Sequence, residues 1–313
     1  MDKGKKRTSP GVLLMEGWMY LHGLLPLSYH RWWGKVLGKA LYKVFRYRRD
    51  VVMANIGRSF PEKDYAELKS IAKKFYIHFA TVYSTMIWFS ACRGQKGRER
   101  LQKAHLVKIV TPEVIHRLLE NRTQLMVLSS HTGHFEALGG FALFDESGTA
   151  GFDSTQFGVT YKKLKSRFWD QVIEYIRLAP IVDIPGMEGY LESEQVLRFA
   201  LSHKDRRYVY CFNTDQYPYQ GKAVAIPVQF MNQQTMAMKG AATLARKLDM
   251  NVAYMRHRCN EDGSFEISII PVAEPASSMS PEEMMQKYYQ LLEEDLRQQP
   301  WNYLWTHKRW KKI

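Results

Sequence analysis

The sequence has few cysteines and none of the short motifs that mark the common nucleotide-binding and metal-dependent enzymes. Its 313 residues contain three cysteines, Cys92, Cys211 and Cys259, which are widely spaced and form no CxxC pair. An odd, scattered set of this kind argues for a reducing compartment and against a structural zinc site. The chain also lacks GxSxG, GxGxxG, GxxxxGKS/T and HExxH, which excludes the usual serine elbow, phosphate-binding loops and zinc-protease helix.

The sequence also has no long run of purely apolar residues. Residues 11–29 resemble the start of a signal peptide, but Glu16, His22 and Pro26 interrupt them and no small-residue cleavage site follows. Their uncharged core is shorter than the roughly 20 residues that span a bilayer, so we expect this segment to lie in a membrane interface or to dip into it. Residues 75–92 carry no formal charge but include several hydroxyl side chains. We predict a buried or membrane-grazing helix there.

The positive charge of the chain is concentrated near its two ends. The formal net charge is +14 at pH 7, of which residues 1–50 carry +8 and residues 306–313 carry +4. A nucleic-acid enzyme more often spreads basic charge along a groove, whereas basic ends beside Trp and Tyr suit an anionic membrane surface. The distribution therefore favours a membrane partner and no nucleic acid.

Residues 35–49 have the pattern of an amphipathic helix. Three lysines recur at i, i+4 and i+8 from Lys35 to Lys43, so they share one face, and apolar side chains occupy the other. Trp32 and Trp33 precede this pattern, as is typical of helices that lie flat on anionic lipid. The alternative is a helix of the soluble core with a solvated lysine face.

Strand and helix patterns alternate through the middle of the chain. Short apolar runs near residues 125, 157 and 207 indicate strands, and helical patterns separate them. Such alternation predicts an α/β fold with a central, largely parallel mixed sheet flanked by helices. We divide the chain into a basic amphipathic membrane-association region, residues 1–50, with membrane-associated helices, and an α/β domain, residues 51–313.

The segment LMVLSSHTGHFEALGG, residues 125–140, combines a strand with polar side chains at its end. Its apolar start indicates the strand, so His131 should lie at the carboxyl edge of the sheet, where open α/β sheets bind ligands. Gly133 can adopt a positive φ, which would let Glu136 fold back onto the imidazole. A histidine held by a carboxylate is a general base, so the pair predicts proton transfer.

Other interpretations use the same residue types. His257 and Asp262 have the same spacing, but they border a predicted hairpin turn, and we interpret His257 as a surface residue. His131, His134 and Glu136 could bind a metal ion, but their spacing does not favour one and no fourth ligand accompanies them. We predict no metal site.

With these residues in view, the chain resembles the glycerolipid acyltransferase superfamily, and in particular the bacterial lipid A biosynthesis acyltransferases of the lauroyl and myristoyl type. The residues from His131 to Glu136 are similar to the HxxxxD/E motif of that superfamily. Other stretches resemble family elements in the same order: Arg48-Arg49, Asn55, Ser59-Phe60-Pro61-Glu62, Tyr161-Lys162-Lys163-Leu164, Asp215-Gln216 and Leu304-Trp305-Thr306-His307-Lys308-Arg309-Trp310. Two positions depart from the family pattern, with lysine for arginine at 162 and histidine for asparagine at 134.

The resemblance implies transfer of a fatty acyl group from acyl carrier protein to a hydroxyl of a lipid A precursor. The protein itself would need no cofactor, since the donor is carried on the phosphopantetheine of the carrier. His131 would be the general base, braced by Glu136. Lys162 and Arg177 are our candidates for stabilising the oxyanion or holding acceptor phosphate, and Asp215-Gln216 is expected to contribute to substrate binding as a loop at the sheet edge.

The expected partners are acyl carrier protein, a membrane lipid acceptor and an anionic membrane surface. The expected location is the cytoplasmic face of the inner membrane, in a peripheral, monotopic or single-pass arrangement. Acyl-CoA remains open as the donor. So does a different acceptor, such as a lysophospholipid, an aminolipid or a sugar phospholipid, because loops build the acceptor pocket. A non-catalytic lipid-binding protein of the same fold is the alternative from another class, and a basic nucleic-acid binder is a third.

Overall fold

The main β-sheet has seven strands and is covered by helices on both faces. A computed structural model describes residues 9–218 and 225–310. The α-helices are Pro10–Gly23 (α1), Leu27–Lys43 (α2), Arg49–Ser59 (α3), Tyr65–Ser90 (α4), Gly94–Lys103 (α5), Pro112–Glu120 (α6), Arg167–Arg177 (α7), Val196–Ser202 (α8), Gly240–Lys247 (α9) and Pro281–Gln298 (α10). The strands are Val107–Ile109 (β1), Gln124–Ser129 (β2), Phe157–Tyr161 (β3), Gly189–Glu192 (β4), Tyr208–Asn213 (β5), Ala225–Phe230 (β6), Gln233–Met238 (β7), Asn251–Cys259 (β8) and Phe265–Ala273 (β9). The basic residues at positions 3–7 and 311–312 lie outside the described residues.

The strand order of the sheet is β1-β9-β8-β2-β5-β3-β4, and β6 and β7 form a separate two-stranded hairpin. Strands β8, β2, β5, β3 and β4 are parallel. Strand β9 is antiparallel to β8, and β1 is parallel to β9. The predicted α/β fold with a largely parallel mixed sheet is therefore confirmed. Because β2 lies among five parallel strands, the residues after it emerge at their common carboxyl edge.

Strand β2 is apolar at successive positions because both faces of the sheet are covered. Met126 and Leu128 belong to one hydrophobic core, and Leu125 and Val127 to the core on the opposite face. All four side chains are fully buried. The uninterrupted apolar run is thus explained by burial on two sides.

Helix α4 connects the two cores and supports the N-terminal helices. It begins with a capping box between Asp64 and Glu67, and its first half packs in one core while its second half packs in the other. Helix α2 approaches it closely at two glycines. A Cβ atom at Gly34 would lie 2.5 Å from the Thr81 Cα, and a Cβ atom at Gly38 would lie equally close to the Ile77 Cα. The backbones of α2 and α4 therefore pack directly against each other.

The expectation of a buried helix over residues 75–92 agrees with α4, most of whose second half is buried. Across the described ranges, no helix is both long enough and apolar enough to cross a bilayer. Helices α1 and α2 nevertheless expose several large apolar side chains, among them Leu14, Trp18, Leu21, Trp32 and Trp33. The division at residue 50 and the association of these helices with a membrane stay predictions.

Candidate active site

The register of two neighbouring strands brings His131 and Asp215 together. In the parallel pair β2 and β5, Ser129 lies opposite Asn213, and the Thr214 amide donates to the Ser129 carbonyl at 3.1 Å. His131 and Asp215 each follow two residues after those paired positions. Their side chains meet, with 2.7 Å between the His131 Nδ1 and the Asp215 Oδ1.

The carboxylate in contact with the imidazole is therefore Asp215, and the expectation that Glu136 braces His131 is not met. A 3₁₀ helix, Phe135–Phe144, begins one residue before Glu136 and directs that side chain to the Arg177 guanidinium, whose Nε donates to the Glu136 Oε2 at 2.6 Å. Glu136 still acts on His131 electrostatically and raises the pKa of the imidazole. Asp215, which we expected to bind substrate from a loop at the sheet edge, directs its carboxylate to the imidazole; its role in substrate binding stays a prediction.

Burial and the charge of the partner shift the pKa of each group in this pair in opposite directions. The His131 side chain is 17% exposed and the Asp215 side chain 2%. Burial lowers the pKa of His131, but the Asp215 carboxylate outweighs it, so the pKa is raised above its ordinary value. Burial raises the pKa of Asp215, but the imidazole outweighs it, so that pKa is lowered. Each group thus stabilises the charged form of the other.

The hydrogen bonds of His131 assign its tautomer. With Asp215 ionised, the Nδ1–H donates to the carboxylate and leaves the Nε2 lone pair free to accept. The Gln216 amide nitrogen lies 3.2 Å from that Nε2 and donates to it. The unprotonated nitrogen of the imidazole is therefore on the side away from Asp215, where a substrate hydroxyl could replace the amide.

Residues far away in sequence support the turn around the histidine. Gly133 has a φ of +57°, and its amide donates to the Asn302 Oδ1 at 2.7 Å. The Tyr288 hydroxyl donates to the Ser129 carbonyl at 2.8 Å, and the Tyr289 hydroxyl donates to the Thr214 carbonyl at 3.0 Å. These three buried side chains fix the ends of β2 and β5, and no local sequence signal marked them.

The two predicted cations occupy different settings. The Arg177 guanidinium lies over the Tyr190 ring at 5.3 Å from its centroid, and its side chain is 24% exposed. Burial lowers the pKa of Arg177, but Glu136 outweighs it and raises the pKa, so the guanidinium stays charged. Lys162 is exposed and follows directly after β3, at the same carboxyl edge of the sheet.

His134 and His257, the other two histidines considered in the sequence analysis, are buried in the fold. Our interpretation of His257 as a surface residue is wrong, because β8 extends to Cys259 and turns the His257 side chain inward, where its Nε2 lies 3.3 Å from the Ser129 Oγ. The His134 Nε2 lies 2.8 Å from the Thr85 Oγ1, and burial lowers the pKa of His134 to about 4. Within residues 9–218 and 225–310, no three His, Cys, Asp or Glu side chains are grouped so that they could hold a metal ion.

Two apolar crevices open beside these polar groups. The first, which we call the base crevice, is lined by His131 together with Phe79, Val82, Tyr83, Phe135 and Leu304, among others. The second, which we call the ion-pair crevice, is lined by Tyr83, Met86, Glu136, Ile173, Ile176 and Arg177. Apolar side chains therefore lie beside both the imidazole and the Glu136–Arg177 pair.

A model of the family described as bacterial lipid A biosynthesis acyltransferase matches residues 6–312. The chain belongs to this family. A comparison with individual curated proteins found no match. Because the family model spans nearly the whole chain, it confirms the resemblance that the sequence motifs indicated. Membership in the family implies an acyltransferase of lipid A biosynthesis.

In this lipid A biosynthesis acyltransferase, the two ends of the HxxxxE segment have separate partners. His131 binds Asp215, and Glu136 binds Arg177. Asp215 is 84 residues away from His131 in the chain. The only sequence signal for this contact was that polar residues follow both strands, at an edge where parallel strands end together.

Proposed function

We propose that the protein transfers a fatty acyl group from an acyl carrier protein thioester to a hydroxyl of a lipid A precursor. His131 acts as the general base, and Asp215 orients it. The observation that supports this most directly is the 2.7 Å contact between the His131 Nδ1 and the Asp215 Oδ1, which leaves the Nε2 available to accept a proton. Family membership supports the reaction class.

The chemistry needs one base and no acyl-enzyme. The acceptor hydroxyl gives its proton to the His131 Nε2 as its oxygen attacks the thioester carbonyl. The tetrahedral intermediate then collapses, the carbon–sulfur bond breaks, and the leaving thiolate takes the proton from the imidazolium. The products are an ester and the free thiol of the carrier, so proton and electrons balance. Asp215 stabilises the transient imidazolium because its carboxylate is ionised and in contact with the ring.

Cations near the base have a role in this proposal. The tetrahedral oxyanion needs a positive group or hydrogen-bond donors close to the reacting carbon. Arg177 stays charged and lines the ion-pair crevice, so it is our candidate for that role. Glu136 fixes the guanidinium in place through the contact with its Nε. We assign Lys162, exposed at the same edge, to the acceptor phosphate.

The donor and the acceptor fit the charge and the exposed surface of the protein. An acidic carrier protein suits a chain with a formal charge of +14 better than the smaller acyl-CoA does. Helices α1 and α2 expose apolar side chains, and α2 also exposes three lysines, a composition that suits an interfacial surface on anionic lipid. We propose that this surface holds the protein at the cytoplasmic face of the inner membrane.

The deciding experiment compares two histidine variants with purified acyl carrier protein thioester and lipid A precursor in vesicles. Mass spectrometry should detect one added acyl chain with the native protein, and His131→Ala should lower the rate by about 10²–10⁴-fold. His105→Ala removes an exposed histidine that also contacts a carboxylate, and it should leave the rate unchanged. Full activity of His131→Ala would overturn the proposal, and equal rates with acyl-CoA would overturn the choice of donor.

The membrane surface has its own test. Flotation with vesicles that contain anionic lipid should recover the native protein, and replacing Leu14, Leu21 and Phe45 with Gln should release it. These side chains are exposed, so their replacement should leave the fold intact. Flotation of the triple variant at the native level would contradict the assignment of this surface.

A further inference from the structure

A buried arginine near the C-terminal end of the chain has no contacting counter-charge. Arg309 is 1% exposed, its Nη1 donates to the Thr235 Oγ1 at 2.6 Å, and its Nη2 donates to the Tyr289 hydroxyl oxygen at 2.9 Å. Within residues 9–218 and 225–310, no carboxylate pairs with this guanidinium, and its Nε has no hydrogen-bond partner. A buried cation is costly without a compensating charge, so the charge of Arg309 must be compensated from beyond its direct contacts.

Tyr289 connects this arginine to the backbone beside Asp215. A hydroxyl group has one proton, and because the Tyr289 oxygen accepts from Arg309, that proton is donated to the Thr214 carbonyl at 3.0 Å. Tyr289 and Thr214 are both buried, and Thr214 directly precedes Asp215. Arg309 therefore fixes the direction of the Tyr289 O–H group. That group in turn fixes the backbone from which Asp215 directs its carboxylate to His131.

The groups around Asp215 include several that titrate but few that are charged. The charge of Asp215 shifts the pKa of His131 after β2, Tyr254 on β8, Tyr288 and Tyr289 on α10, and Tyr303 and Arg309 in the C-terminal segment, and Glu136 and Arg177 also act on the imidazole. Burial raises the pKa of each of these four tyrosines, so they are neutral near pH 7. Burial lowers the pKa of Arg309, but the tyrosine and aspartate oxygens around it outweigh burial and raise that pKa, so the guanidinium stays charged.

We propose that Arg309 is a positioning residue for the general base, acting on Asp215 through the Tyr289 hydroxyl and as the counter-charge of its carboxylate. This inference rests on the function proposed above. Before the reaction His131 is neutral, so Asp215 lacks the imidazolium that would stabilise its charge, and burial then favours protonation of the carboxyl group. The Arg309 cation opposes that protonation. It thereby keeps the proton on the His131 Nδ1 and leaves the Nε2 able to accept.

The first test measures the protonation of His131 directly. NMR titration of the full-length protein with isotope-labelled histidine follows the imidazole, and His131→Ala identifies its signal. Arg309→Met keeps a long apolar side chain but removes the charge. Loss of a nearby positive charge favours the protonated form of the His131–Asp215 pair, so the midpoint should rise by about half a pH unit or more. Arg309→Lys keeps the charge and should titrate close to the native midpoint.

Acyl transfer provides the second measurement. With acyl carrier protein thioester and lipid A precursor in vesicles, Arg309→Met should lower kcat by about 10–100-fold, because the base is held less well. The KM for either substrate should not change, since Arg309 lines neither crevice. Arg309→Lys should recover only part of kcat, because an ammonium group lacks the planar fork that contacts Thr235 and Tyr289 at once.

Two further variants separate the hydrogen bond from the charge. Tyr289→Phe removes the hydroxyl and leaves Arg309 charged, so kcat should fall by about tenfold at unchanged KM while the midpoint stays near the native one. Arg256→Met is the matched control, because it removes a partly buried arginine that pairs with Asp295 on the same helix, α10. It should lower the thermal stability without moving the midpoint.

A native midpoint in a folded Arg309→Met variant would overturn the counter-charge, as would an equal shift in Arg256→Met. Full activity of Tyr289→Phe would overturn the route through the hydroxyl. Thermal unfolding shows whether Arg309→Met has failed to fold, in which case native kcat in both Arg309→Lys and Tyr289→Phe would overturn the proposal. Failure of the proposed function is distinguishable, because it would appear as full activity in His131→Ala, whereas the NMR midpoint does not depend on the reaction.

Discussion

Among the described residues, three histidines pair with a carboxylate, and two of these pairs have nearly equal geometry in very different surroundings. The His131 Nδ1 lies 2.7 Å from the Asp215 Oδ1, and the His105 Nδ1 lies 2.6 Å from the Glu146 Oε1. The His105 and Glu146 side chains are 67% and 30% exposed, whereas those of His131 and Asp215 are 17% and 2% exposed. Contact distance alone therefore does not distinguish the proposed base, His131, from a histidine in an exposed ion pair.

The difference lies in what surrounds each contact. Water screens the exposed pair, so the electrostatic interaction between its carboxylate and its imidazole is weak. At the sheet edge, burial strengthens the interaction between Asp215 and His131, and the ends of two strands fix both backbones. The His131 ring also lines an apolar crevice. The buried pair therefore combines a ring held in one orientation with a strongly interacting carboxylate, as a general base requires.

The largest effect that would separate the two pairs is expected from their carboxylates. Asp215→Asn keeps the shape of the buried side chain but removes the charge that orients and stabilises the imidazolium, so kcat should fall by about 10³–10⁴-fold. Glu146→Gln makes the same change in the exposed pair and should leave kcat unchanged. The measurement is acyl transfer with circular dichroism as a check of folding. Equal effects in the two variants would show that the surroundings do not matter.

A smaller effect is expected from the carboxylate that acts on His131 from a distance. Glu136→Gln leaves the Arg177 guanidinium without its ion-pair partner in a partly buried position, so the free energy of unfolding should fall by about 1–3 kcal/mol. Activity should fall by about 10–100-fold because the guanidinium is no longer held in place.

Urea unfolding and acyl transfer measure the two effects of Glu136→Gln. Glu274→Gln breaks a more exposed ion pair with Arg117 and serves as the matched control, with little change expected in either quantity. A stable and fully active Glu136→Gln variant would contradict the role assigned to Glu136.

The pH dependence of the reaction sharpens the comparison further. The pKa of His131 is raised above its ordinary value of 6.5, and only the unprotonated ring can accept a proton. The rate should therefore fall with decreasing pH through a midpoint above about 6.5. In Asp215→Asn only burial and the more distant charges remain, so the midpoint of the residual activity should move to lower pH. A profile of kcat/KM against pH measures both, and an unchanged midpoint would contradict the control of His131 by Asp215.

The smallest effect is expected at Asp262, which lies five residues after His257 just as Glu136 lies five residues after His131. The Asp262 carboxylate accepts hydrogen bonds from the Ser264 amide and hydroxyl within the β8–β9 turn, and it does not contact His257. Asp262→Asn should therefore leave acyl transfer unchanged. A folded but inactive Asp262→Asn variant would mean that the wrong histidine has been chosen as the base.

Local patterns in the sequence were enough to place His131 but not its partner. The apolar run of β2 and the polar residues after it located the histidine at the carboxyl edge, and alternating strands and helices gave the class of sheet. Asp215 could not be paired with His131 from sequence, because their contact depends on β2 and β5 being neighbours in a given register. The packing of the whole core determines strand order and register. Neither can be inferred from the local spacing of apolar residues.

Two predictions, for Glu136 and His257, were wrong for reasons of local structure. Glu136 was expected on the imidazole because a turn at Gly133 permits it, but the 3₁₀ helix that follows gives the side chain another direction. His257 was assigned to the surface because a turn follows soon after it. Strand β8 continues to Cys259, so His257 still lies within the sheet and faces the interior. In both cases, a shift of one or two residues in the boundary of a helix or strand determined the direction of the side chain.

The glycine contacts between α2 and α4 have a mechanical consequence. At Gly34 and Gly38 the α2 backbone packs directly against the α4 backbone, so a tilt of either helix would produce a steric clash with the other. Helix α2 carries the exposed Trp32 and Trp33, and α4 carries Tyr83, which lines both crevices. The orientation of the exposed tryptophans is therefore fixed relative to the orientation of both crevices.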